Sequence, residues 1–188
     1  LTNFSRRFDP SINQVSKFLK TEHLVINHFF GTFPKGLIHN GSHLVDLLCL
    51  LIPGEINING ISCVKKDGDY FGHFKVKIDE INGFFCNIDI PELSLFELII
   101  FTNLAKIEIT NSFVRIHKLI EHPELLGYQF FGDTREFPLT SSKSTFNSLE
   151  AALRMDKDIS YFKSINLQQF KVGHVIYSLE EQLSQAST

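Results

Sequence analysis

Gly36-Leu37-Ile38-His39-Asn40-Gly41-Ser42-His43-Leu44-Val45-Asp46, running on through Leu47-Leu48-Cys49-Leu50-Leu51-Ile52 to Pro53-Gly54, sets two histidines and a carboxylate around the start of an apolar helix. Leu44, Val45, Leu47, Leu48, Leu50, Leu51 and Ile52 leave little polar face on a helical repeat, which predicts a buried helix that Pro53-Gly54 stops. Asn40, Gly41 or Ser42 suits its N-terminus, because short polar or absent side chains serve the unpaired N–H groups there. His43 then falls in the first turn. The positive end of the helix dipole disfavours imidazolium, so the ring stays neutral and can accept a proton.

Upstream, Asp9 can cap a first helix with Pro10 at its first position, and Ile12, Val15, Phe18 and Leu19 recur at helical spacing to about Lys20. Residues 24–33 are rich in β-branched and aromatic side chains and read as a strand. Strand, loop and helix thus present the histidines together.

Downstream the pattern changes to short strands near 55–66, 70–78, 84–90, 97–101, 106–110 and 114–119. Asn82-Gly83 is a hairpin-turn signal, since both residues tolerate positive φ. Apolar and polar residues alternate over 73–78, which puts one face on a core and the other on water or a partner. Leu149, Ala152 and Leu153 mark a short helix, and Phe170, Val172, Val175, Ile176, Leu179 and Leu183 a longer one. Residues 138–145, rich in Ser and Thr, read as a loop. Strands grouped between helices predict an α+β domain, a largely antiparallel open sheet with helices covering one face.

Two segments resemble the Gfo/Idh/MocA oxidoreductases, named for glucose-fructose oxidoreductase and inositol dehydrogenase. Asn3-Phe4-Ser5-Arg6-Arg7-Phe8-Asp9-Pro10 is similar to the family's Arg-Arg-Phe-Asp-Pro segment, where the chain leaves the nucleotide domain. Gly41-Ser42-His43-Leu44-Val45-Asp46 is similar to its Asp-x-Gly-x-His-x-x-Asp stretch. The resemblance implies a fold like the C-terminal domain of glyceraldehyde-3-phosphate dehydrogenase, and a single substrate-binding and oligomerisation domain over 1–188. It also implies NAD or NADP, bound mainly by an N-terminal Rossmann domain outside this sequence, and a homodimer or homotetramer formed through the sheet. The substrate would be a sugar, cyclitol or sugar nucleotide, with His43 as the acid/base on its hydroxyl. The family's catalytic aspartate is His39 here, and neither a Gly-x-Gly-x-x-Gly fingerprint nor a Glu-Lys-Pro tripeptide occurs. The chain alone is therefore expected to be inactive.

The candidate catalytic residues are His43 and His39. Asn40, Lys35, Arg7 and Asp46 are the candidate substrate ligands: an amide for a hydroxyl, a lysine and an arginine for an anion, and a carboxylate one helical turn from His43. Asp46 could instead fix the imidazole tautomer. Two alternatives stand beside this reading. One is a non-catalytic dimerisation or ligand-sensing domain; the other is a metal site from His39, His43 and Asp46, with His28 as a fourth ligand.

Composition narrows the rest. Net charge is −3 and the 18 Lys and Arg are scattered, which excludes a nucleic-acid surface. Apolar runs fall well short of the roughly 20 residues of a spanning helix, so a cytoplasmic protein without membrane contact is expected. Cys49, Cys63 and Cys86 lie among apolar residues and read as free thiols.

Overall fold

The computed structural model describes residues 4–90, 92–139 and 141–185, with side chains at all but 141–144 and 183–185. A 3-10 turn, Ser5–Phe8, leads into α1 (Pro10–Thr21), β1 (Ile26–Pro34) and a π-helical turn, Leu37–Gly41, that continues without a break as α2 (Ser42–Leu51). Seven strands follow: β2 (Ile56–Lys66), β3 (Asp69–Ile78), β4 (Ile81–Ile88), β5 (Glu97–Thr102), β6 (Ala105–Ile109), β7 (Phe113–Glu121) and β8 (Gln129–Pro138). Two helices, α3 (Ser141–Lys157) and α4 (Ile159–Gln185), close the order. Asp9 caps α1 as its sequence suggests, its carboxylate accepting from Ser11 N–H at 2.8 Å with Pro10 next to it.

All eight strands form one sheet in the order β2-β3-β4-β1-β5-β6-β7-β8. Among the described residues only the β1–β4 pair is parallel. The α+β class with a mostly antiparallel open sheet is thus the observed one. Alternation gives the sheet two unlike faces. One buries Ile58, Phe74, Val76, Phe85, Phe29, Phe33, Leu98, Ile100, Ile107 and Val114 against Ile12 and Val15 of α1, Leu44, Leu47 and Leu48 of α2, and Val172 and Leu179 of α4. Among the described residues no helix covers the other face. No helix among the described residues is long and apolar enough to cross a membrane.

Three expectations change, and one strand is additional to them. Asn82 and Gly83 lie inside β4, paired with Lys77 and Val76, and the chain turns one step earlier at Asp79, whose φ is 48°. Gly83 is there for space: a Cβ would collide with the buried Phe29 ring. Residues 138–145 are not a loop, since Ser141 already begins α3; Thr140 lies outside the described residues. In α3 the buried positions are Ala151 and Met155, whereas Leu149 and Leu153 are exposed. Strand β8 had no sequence expectation, because its exposed pattern Gln129-Phe130-Phe131-Gly132-Asp133-Thr134-Arg135-Glu136 lacks the apolar alternation of a half-buried strand.

Candidate functional site

Helical backbone begins six residues before His43, which changes the origin of that residue's chemistry. Gly36 is extended (φ −86°, ψ 169°) and its carbonyl accepts from both Asn40 N–H (2.9 Å) and Gly41 N–H (3.2 Å), the i→i+5 bond of a π-turn. Gly41 is itself helical (φ −61°, ψ −29°), so Asn40, Gly41 and Ser42 lie within the helical run and none caps it. A Cβ at Gly41 would stand 2.6 Å from Leu37 and 3.0 Å from Phe33, and the bulge packs on that gap.

The cap comes from elsewhere. Asp69, at the start of β3, accepts from Ile38 N–H (2.7 Å) and His39 N–H (3.0 Å) with its two carboxylate oxygens, and from its neighbour Tyr70 N–H (2.7 Å). A Cβ at Gly36 would overlap that carboxylate. The sequence reading missed Asp69. The signal was the adjacent Asp67-Gly68, both at positive φ (52° and 80°), which turns β2 into β3 and delivers Asp69 to the helix start.

His43 is half-buried, and its proton affinity is pushed down to about 4 by burial first, then by the charges of Arg6 and His39. The ring is neutral at physiological pH, as expected, but through desolvation and like charge and not through a helix terminus. Phe4 meets it edge to face with ring centroids 5.3 Å apart. His39 lies one helical turn back, exposed, and Asn40 beside it is half-exposed. Lys35 has an exposed side chain on a left-handed backbone (φ 59°), and its carbonyl is held by the side-chain amide of buried Asn87.

Arg7 and Asp46 are each other's partners. Arg7 Nε donates to Asp46 Oδ2 at 3.1 Å and Nη2 to Oδ1, with 2% of either side chain exposed, while Nη1 donates to Gln168 Oε1 at 3.0 Å. The Asp46 carboxylate therefore faces the guanidinium and not the His43 ring, and both groups are closed off from a ligand at the histidines. The metal alternative loses its carboxylate in the same way. Among the described residues no group of three or more His, Cys, Asp or Glu is arranged to hold a metal ion. His28 is on the helix-free sheet face, against Phe30 and Phe84.

Arg6 differs from its neighbour. Its guanidinium lies 3.9 Å over the Phe96 ring and donates to Asn111 Oδ1 at 3.1 Å. Burial weakens its hold on the proton. A cleft of ≈ 560 Å³ opens on the far side of Arg7, lined by Asn147, Arg154, Tyr161 and Gln168, and does not include either histidine. His39 and His43 stand on the surface of the domain.

The fold is one that dehydrogenases carry as part of a longer chain. It superposes on a dehydrogenase (MviM) from Clostridium difficile with a TM-score of 0.60 at 12% identity, covering 97% of this chain and 60% of that one. KijD10, a 3-ketoreductase from Actinomadura kijaniata in complex with NADP, matches at 0.57 and 10% identity over 90% of this chain and 56% of its own. A levoglucosan dehydrogenase in complex with NADH and levoglucosan matches at 0.50 and 10% identity, over 74% and 46%. The chain spans about 60% or less of the length of these structures. No family model and no curated protein matches it. The likeness expected from two short segments is thus present in the fold.

Proposed function

We propose that the chain is the substrate-binding and dimer-forming part of a cytoplasmic NAD(P)-dependent oxidoreductase of the Gfo/Idh/MocA kind, acting on a secondary alcohol of a sugar, cyclitol or sugar nucleotide. The observation that carries this reading is His43: a neutral, half-buried imidazole at the domain surface, within the segment Gly41-Ser42-His43-Leu44-Val45-Asp46. The shared fold with an NADP-bound ketoreductase and an NADH-bound sugar dehydrogenase supports it.

The residues present fit the substrate side of such a reaction and offer no glycine-rich phosphate loop of their own. A bound nicotinamide supplies or accepts hydride. His43 takes the substrate's hydroxyl proton in the oxidative direction and returns it in the reductive one; its neutral ring at pH 7 is ready to accept. His39 stands where the resembled family has a carboxylate, one turn from His43, and orients the hydroxyl. Asn40 and Lys35 contribute a neutral donor–acceptor and a cation on the same rim. Arg7 and Asp46, expected to bind substrate, instead fix α2 against the 3-10 turn and so set where His43 points.

One observation favours a second reading. With His39 in the carboxylate's place, no carboxylate among the described residues meets His43 to hold an imidazolium, as in a ligand-sensing descendant. Steady-state oxidation of a sugar and sugar-nucleotide panel by the full-length protein with NAD and NADP separates the two. His43→Ala is expected to lower turnover by roughly 10²–10⁴-fold with folding intact, and His39→Ala to lower it less. A wild type that binds nucleotide yet turns over no substrate would leave the sensing reading.

A further inference from the structure

Beside His43 stands a half-buried cation that has no counter-ion among the described residues. Arg6 is oriented by Phe96, whose ring centroid lies 3.9 Å from the guanidinium carbon, and by Asn111, whose side-chain oxygen accepts at 3.1 Å. Asn111 is fixed in turn, because its amide nitrogen donates to the Ser94 carbonyl at 2.7 Å. No carboxylate pairs with Arg6 among the described residues. Arg7, next in the chain, shows the contrast, since its charge is met by Asp46.

Taking a guanidinium out of water without an anion is costly, and one amide oxygen and a ring face offset only part of that cost. A guanidinium held in one orientation by a ring and a fixed amide still has free N–H edges, and their fork matches a planar or tetrahedral oxyanion. Arg6 belongs to the 3-10 turn that packs against α2, the helix that carries His43, and Phe4 just before that turn meets the His43 ring at 5.3 Å; the charges of Arg6 and His39 both push that ring's proton affinity down. The surroundings of His43 are therefore electropositive.

From this juxtaposition we infer that the substrate of the His43 site carries an oxyanion, a carboxylate or a phosphate, and that Arg6 binds it in bidentate fashion with His39 on the flank. The inference rests on the proposed role of His43 as the substrate site and narrows its substrate class to acidic sugars: uronates or sugar phosphates. Arg6 is a specificity residue here, not a participant in proton or hydride transfer.

The test is binding without turnover, so that it does not depend on the oxidoreductase reading. The full-length protein, labelled at its arginine side chains and histidine rings, is titrated with glucuronate, glucose 6-phosphate, neutral glucose and sodium sulfate while the Arg6 Nε–H and His43 ring signals are followed by NMR. Glucuronate or the 6-phosphate is expected to shift both signals and to bind at least about tenfold more tightly than glucose. The acidic sugar that binds better identifies the group. Arg6→Gln should abolish the preference, leaving glucose unaffected, and Arg6→Lys, which keeps the charge and loses the fork, should fall between. Should Arg6→Gln fail to fold, Asn111→Ala removes the orienting oxygen and is expected to weaken acidic sugars alone.

Equal binding of neutral and acidic sugars, sulfate binding as tightly as the acidic sugars, or an acidic preference that survives Arg6→Gln would overturn the inference. Acidic-sugar binding with no turnover in the full-length protein would leave it standing and remove the dehydrogenase. Turnover of neutral sugars in preference to acidic ones, with the same preference in Arg6→Gln, would do the reverse.

Discussion

Arg7 and Asp46, separated by 39 positions in the chain, form a bidentate ion pair with only 2% of either side chain exposed, and this pair fastens the 3-10 turn to α2. Removing one partner leaves a buried charge uncompensated, whereas removing both leaves a neutral pocket. Asp46→Leu or Arg7→Met alone should cost about 3–5 kcal/mol, and the double variant much less than their sum. Urea unfolding of the four proteins gives the coupling directly. Additive losses would show that the pair does not act as a unit.

His43 makes a pH prediction whose sign is fixed. Its folded-state proton affinity, about 4, lies below the ordinary histidine value of 6.5. Between those values the unfolded chain binds a proton that the native one does not, so the neutral ring's contribution is present above pH 6.5 and is lost as pH falls towards 4. The urea midpoint should fall through that window, and His43→Gln should remove this part of the slope. NMR titration of the ring should give a midpoint near 4. Arg6→Gln should raise it, because a like charge is gone. A midpoint at 6.5 in the wild type would mean that the ring is not buried.

The turn that presents His39 depends on a residue from another element. Asp69 accepts from Ile38 and His39 N–H, so Asp69→Ala leaves two donors of the π-turn to water and is expected to cost about 1 kcal/mol. Hydrogen exchange at Ile38 and His39 should speed up while the sheet core keeps its protection. Exchange unchanged at these two amides would mean that the turn holds itself.

Residues whose partners are near in sequence were legible, and those whose partners come from elsewhere were not. The Asp9-Pro10 cap and the buried run from Leu44 to Leu51 follow from local chemistry alone, and both stand in the structure. Asn82-Gly83 misled because a glycine demanded by positive φ and a glycine demanded by a neighbouring ring look alike in sequence, and Phe29 is 54 positions away. The neutrality of His43 was read for the wrong reason. Local pattern suggested a helix terminus, but Asp69 and the π-turn move that terminus back to Leu37, and burial with Arg6 does the work instead. The meeting of Arg7 with Asp46 needed the fold, since both residue types are equally at home on a ligand.

The helix-free face of the sheet yields the last prediction. Phe30, Phe84 and Phe131 are 42%, 39% and 43% exposed there, and they join Phe101 and His28 in one aromatic stripe: Phe30 meets Phe84 at 6.2 Å and Phe101 at 6.3 Å, and Phe101 meets Phe131 at 6.3 Å. Lys75 and Lys77 border the stripe on the β3 side, and Lys106, Glu108 and Arg115 on the other. Contiguous exposed aromatic surface with a charged rim is the anatomy of a subunit interface. If two copies pair through it, as proposed, sedimentation of the full-length protein should show a dimer or tetramer. Phe30→Glu or Phe84→Glu should shift it towards monomer without changing the circular dichroism or the buried core, because neither side chain contributes to that core. A wild type monomeric at every concentration would assign the stripe to another partner; a Phe30→Glu protein that stays oligomeric would move the interface to a different face of the molecule.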